Sequence, residues 1–139
     1  MKKLTKILSL VLLVVMCLTV LTACAPNSDP YLAEAALKKN GYTVIMLNGT
    51  AAEVAAALKG IENIDATVDA SARIENNDGE KILQRVVIYY FENADAAKVA
   101  LDKIKSEYEK AKGDSKDWVF GQSGAMIYYG TKAGVKAAR

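Results

Sequence analysis

Residues 64–75 constrain this chain more than any other stretch. Ile64, Ala66, Val68, Ala70, Ala72 and Ile74 alternate without a miss against Asp65, Thr67, Asp69, Ser71, Arg73 and Glu75. Successive side chains on a strand point to opposite faces, so this segment predicts a strand with one buried face and one more polar face. Asn77-Asp78-Gly79 follows and suits a three-residue hairpin loop with Gly in the left-handed position. The resulting register sets Glu75 opposite Lys81, Val68 opposite Ile88 and Ala70 opposite Val86. Charge and apolar character match in that register and would clash after a one-residue slip. Residues 81–91 are the partner strand, apolar on both faces from Val86 onward.

The flanking segments read as capped helices and shorter strands. Asp29-Pro30 is an N-cap and first helical position, predicting a helix through Lys39 that ends at Asn40-Gly41, with a stripe of Leu32, Ala33, Ala36 and Leu37. Tyr42 to Leu47 is continuous enough to be a buried strand. Thr50-Ala51-Ala52-Glu53 has the form of a capping box, opening a helix with Ala51, Val54, Ala55 and Leu58 on its inner face. Asn93 caps a longer helix whose seam is Ala97, Leu101, Ile104, Tyr108 and Ala111. Residues 118–129 hold two β runs around Gly121-Gln122-Ser123-Gly124, either a hairpin or one bent strand. Gly130-Thr131 caps a last helix through Ala138. The middle elements follow the β-α-β-β-α-β order of ferredoxin-like domains. The expected fold class is therefore α+β: a four-stranded antiparallel sheet with the capped helices on one face, and extra N- and C-terminal helices.

The chain contains no histidine. That excludes His-based proton transfer, Ser-His-Asp and Cys-His nucleophile pairs, and the usual zinc sites. Asn76-Asn77-Asp78-Gly79-Glu80 fails as a calcium loop, because an EF-hand frame puts Ile74 and Arg85 at its first and last ligand positions. Asp65 and Asp69 lie about 13 Å apart along one strand, too far for a glycosidase pair. Gly121 to Gly124 has no basic run beside it to hold phosphate, and no P-loop occurs. No metal, no cofactor and no catalytic residue is expected.

Residues 1–24 stand apart from this pattern. Lys2, Lys3 and Lys6 precede an apolar run, and Ile7 to Ala23 would span only about 26 Å of a ~30 Å hydrocarbon core. A basic start, an apolar stretch and a small-residue end mark an export signal rather than a retained span. Leu21-Thr22-Ala23-Cys24 resembles the lipobox of bacterial lipoproteins. The resemblance implies cleavage between Ala23 and Cys24 and lipidation of Cys24, with fatty chains of the palmitate kind. The domain plan is then a signal peptide over 1–23, a lipidated Cys and short tether over 24–29, and a single domain over 30–139. The expected location is the extracytoplasmic face of the cell membrane, with membrane lipid as partner through acylated Cys24. Two acyl chains suffice for durable attachment, at about 0.8 kcal/mol per buried CH₂.

Without the signal, 15 basic residues face 16 acidic ones. This balance gives no footprint for nucleic acid, and no basic stripe argues for lipid headgroup binding. The second face of the expected sheet would carry Asp69, Arg73, Arg85, Tyr89 and Phe91, a mixture suited to an interaction surface. The alternative is that a terminal helix covers it and Arg85 merely pairs with Asp69; burial of Tyr89 and Phe91 decides between them. Tyr89-Tyr90 and Tyr128-Tyr129 each offer one ring to a given face and read as structural strand residues. The favoured expectation is a non-enzymatic binding or accessory domain for an envelope protein partner. The alternative is a small-ligand binding lipoprotein, to be recognised by an enclosed pocket of ~300 Å³ or more.

Overall fold

The computed structural model describes residues 25–139; the signal, Ala23 and Cys24 lie outside the described residues. The chain forms α1 (Pro30–Lys39), β1 (Thr43–Asn48), α2 (Gly49–Ala57), β2 (Ile64–Glu75), β3 (Lys81–Phe91), α3 (Ala94–Lys112), β4 (Trp118–Ser123), β5 (Met126–Thr131) and α4 (Lys132–Ala137). One antiparallel sheet has the order β1-β2-β3-β5-β4. The α+β class holds, but the sheet has five strands and not the ferredoxin-like arrangement. A split β-α-β unit needs its two strands parallel with another between them, whereas β1 and β2 are direct antiparallel neighbours. The fifth strand arises because residues 118–131 are two strands joined at Gly124-Ala125. There the chain folds into a tight hairpin, with Gly124 at φ 57° and Ser123 paired to Met126.

The long hairpin has the predicted register, with Glu75 opposite Lys81, Val68 opposite Ile88 and Ala70 opposite Val86. Gly79 takes φ 80° in the loop, and the Asn76 side-chain oxygen accepts from the Asp78 and Glu80 amides. The alternation fails at one end. Asp65 is an extra residue between Ile64, opposite Phe91, and Ala66, opposite Tyr90. This bulge turns Ile64 onto the other face, among Phe91, Ile104 and Ile127.

Helices cover both sides of the sheet. On one side α1 and α4 bury Ala66, Val68, Ala70, Val86, Ile88 and Tyr90 with Leu37 and Val135. On the other, α2 and α3 bury Val87, Tyr89, Phe91, Ile127 and Tyr129 with Ala56 and Ile104. Asp29, Asn93 and Thr131 cap their helices as predicted, accepting from the Tyr31, Ala96 and Gly134 amides respectively. The capping box does not form, because α2 starts two residues early at Gly49 and the side chain of its cap, Asn48, makes no capping bond and instead donates from Nδ2 to the Tyr31 hydroxyl at 3.0 Å. That start rotates the helix. Ala52 and Ala56 face inward, while Val54 and Leu58 are exposed. On α1 the inner pair is Ala33 and Leu37, with Leu32 outside. β1 is an edge strand, not a buried one.

Candidate functional site

The helices on the α2/α3 side stop short of one end of the sheet. Tyr89 and Phe91 are 2% and 3% exposed beneath them, so the interaction face expected over these rings is closed, by the middle helices and not by a terminal one, and Arg85 pairs with Asp69. The reason lies in which helices pack where. The two helices of the middle segment take the Tyr89 side, and the terminal pair takes the Val68 side. Asp69, Arg73 and Arg85 sit beyond this cover: Asp69 and Arg85 half-buried, Arg73 exposed.

Asp69 and Arg85 form the floor of what remains open. Arg85 Nε donates to Asp69 Oδ1 at 3.1 Å and Nη2 to Oδ2 at 2.9 Å. This bidentate geometry fixes both planes. The hydrogen bond to Asp69 holds the guanidinium charged, raising its pKa against the lowering effect of burial. Thr43, Ile45, Ser71 and Leu83 surround the pair in a depression of about 360 Å³ that lies open to solvent. Ile45 on the β1 edge is 64% exposed and Leu83 on β3 is 54% exposed.

Toward α2 the depression narrows into a cleft of about 160 Å³ lined by Ile45, Leu47, Ala56, Lys59, Asp69 and Tyr89. Behind Tyr89 lies a polar network that joins α2 to α3. The Tyr89 hydroxyl donates to Glu107 Oε2 at 2.6 Å and accepts from Lys59 Nζ at 3.0 Å. Lys59 Nζ lies 3.5 Å from Glu107 Oε1, and the Tyr129 hydroxyl reaches Oε2 at 3.4 Å. Burial raises the pKa of Tyr89, with the Glu107 hydrogen bond adding to it; burial also raises that of Tyr129. Both phenols therefore stay protonated as donors to the carboxylate. The network holds two helices and a sheet together.

No protein-family model, curated protein or solved structure matches this chain. Among the described residues no group of three or more acidic or sulfur side chains is placed to hold a metal ion. No described helix is long and apolar enough to cross a membrane. The sequence singled out Asp69, Arg73 and Arg85 but not Lys59 or Glu107. Glu107 had a signal. It lies three residues after Ile104, at the margin of the α3 seam, where a helix sets a polar head beside the core. Lys59 had none, since it lies beyond the end of α2 and reaches Tyr89 through the tertiary fold alone.

Proposed function

We propose that the mature chain is a lipoprotein, anchored through Cys24 on the extracytoplasmic face of the membrane, and that its domain is a non-enzymatic binding module for an envelope protein. The observation that carries the binding half of this reading is the open end of the sheet. There a fixed Asp69–Arg85 pair lies between exposed Ile45 and Leu83, beside the edge strand β1. Exposed Ile45 and Leu83 are apolar surface that a protein partner can dehydrate with gain, and the fixed arginine-carboxylate pair between them sets the partner's orientation. The β1 edge offers backbone groups to an extended segment of that partner. A small solute fits less well. The cleft of about 160 Å³ falls below the ~300 Å³ of ligand pockets, and the wider depression encloses nothing. The anchoring half rests on the Leu21 to Cys24 resemblance.

A photo-crosslinking residue at Leu83 in the membrane-bound protein tests the groove. A discrete protein adduct is expected, lost in the Ile45→Glu variant and reduced in Cys24→Ala. Absence of any adduct, or one indifferent to Ile45→Glu, overturns the groove. Mass spectrometry of the native protein tests the anchor, and a chain still starting at Met1 overturns it.

A further inference from the structure

The first described residues enter the fold through the α1/α4 layer, with no slack. Ala25 packs against the core beneath that layer and Pro26 is buried. The Asn27 amide donates to the Ala138 carbonyl at 2.8 Å, and its own carbonyl accepts from the Tyr90 hydroxyl at 2.9 Å. The stretch expected to act as a tether is therefore part of the domain from residue 25 onward. Ala25, the residue to which Cys24 is bonded, is held at this layer.

The same layer is the basic one. Residues 29–40 and 131–139 carry five basic side chains, all exposed, namely Lys38, Lys39, Lys132, Lys136 and Arg139, against the two acids Asp29 and Glu34. The rest of residues 25–139 holds ten basic and fourteen acidic residues, so the asymmetry is one of placement and not of composition. Glu34 is engaged by Lys38 at 2.7 Å. On the outer face of α1, Tyr31 and Leu32 are exposed beside the lysines. A ten-residue helix is about 15 Å long, roughly two Debye lengths at physiological salt. Charges more than one Debye length from a surface are screened, so these lysines engage a surface at the anchor only where the α1/α4 face lies along it.

We propose that the α1/α4 face lies against the membrane, with Lys39, Lys132 and Lys136 on anionic phospholipid headgroups and Tyr31 and Leu32 at the interface. This rests on the anchoring reading above. Lysine and tyrosine suit that depth, with apolar bodies and polar tips. The sheet then stands between the bilayer and the Asp69–Arg85 groove, and the groove faces away from lipid toward a partner.

The test adds the full lipidated protein to preformed vesicles of phosphatidylcholine, alone or with an equal part of phosphatidylglycerol. A water-soluble amine reagent is then read by peptide mass. Labelling of Lys39, Lys132 and Lys136 is expected to slow at least about fivefold on the anionic vesicles. Lys98, Lys103 and Lys110 of α3 are expected to be unchanged. Equal rates in both sets overturn the proposal. In a Lys132→Glu, Lys136→Glu variant the protection of Lys39 is expected to disappear, and its persistence also overturns the proposal. The same spectra report Cys24. An unmodified Cys24 refutes the anchoring reading, whereas an acylated Cys24 with equal lysine rates refutes only the orientation.

Discussion

The hydroxyl of Tyr90 donates to the carbonyl of Asn27 at 2.9 Å, tying the third strand to the segment that leads out of the domain. Tyr42, on the same side of the sheet, is equally buried but its hydroxyl has no hydrogen-bond partner. One substitution should therefore act with opposite signs at the two sites. Tyr90→Phe is expected to cost about 1 kcal/mol, the net worth of one ordinary hydrogen bond. Tyr42→Phe removes a group that is desolvated without compensation, and is expected to be neutral or to stabilise by up to about 1 kcal/mol. Urea denaturation of the pair measures both, and a loss at Tyr42 equal to that at Tyr90 would refute the contrast.

Gly130 and Gly134 both meet the backbone of Arg85. A Cβ on Gly134 would lie 2.6 Å from the Arg85 carbonyl oxygen, and one on Gly130 would lie 2.7 Å from the Val86 Cα. Neither neighbour is a flexible side chain that can swing aside, so α4 seats on β3 only where side chains are missing. Gly134→Ala and Gly130→Ala are each expected to destabilise by about 1–3 kcal/mol, the range for overpacking. Gly41→Ala is the comparison, since nothing stands within 4 Å of its Cβ and its φ of 83° is the sole obstacle. Thermal unfolding ranks the three, and the ranking fails if Gly41→Ala proves the worst.

The long hairpin was legible because a period of two, a loop glycine and charge matching all point to one register, and Glu75 does face Lys81. Three helix caps were legible for the same local reason. Layer assignment was not. A strand apolar on both faces, as β3 is from Val86 to Phe91, carries no sign of which helix covers which side. The sequence therefore leaves open whether Tyr89 and Phe91 are covered, and the packed α2 and α3 decide it. The α2 face was misread because alanines dominate the helix. With Ala51, Ala52, Ala55, Ala56 and Ala57 so similar, Val54 and Leu58 drew the stripe, yet the close approach of helix to sheet selects Ala52 and Ala56. Of the candidate site, the Asp69–Arg85 pair follows from strand register and charge, since Arg85 lies opposite Ser71 with Asp69 diagonal to it. The cleft beside it needs Lys59 and Glu107, which only the packed helices bring to Tyr89.

The Asp69–Arg85 pair separates binding from stability. Its side chains are 45% and 37% exposed, so solvent screens the pair. Asp69→Ala and Arg85→Ala are each expected to cost less than about 1 kcal/mol of stability. The loss of adduct at the groove, measured by the Leu83 crosslinker, is expected to be much larger. Variants that bind normally would show the pair to be structural, whatever their melting temperature.

Alkaline pH should unfold this domain through its buried phenols. Burial holds Tyr89, Tyr90 and Tyr129 well above the ordinary phenol value of 10.0, and raises Tyr42 as well. Below about pH 10 both folded and unfolded chains keep these protons, and stability does not depend on them. Above it the unfolded chain releases protons that the folded chain retains. The unfolded state then binds fewer, and stability falls as pH rises, by up to about 1.4 kcal/mol per pH unit for each phenol. The chain has no histidine, so no comparable side-chain titration of that residue precedes this loss in the neutral range. Denaturant midpoints followed from about pH 8 to about pH 12 should stay level and then drop steeply, with phenolate absorbance rising as the fold is lost. Tyr89→Phe should make the drop shallower by removing one of the protons. A midpoint that stays level above pH 10, or buried phenols that ionise while the fold persists, would contradict the role of burial in holding them neutral.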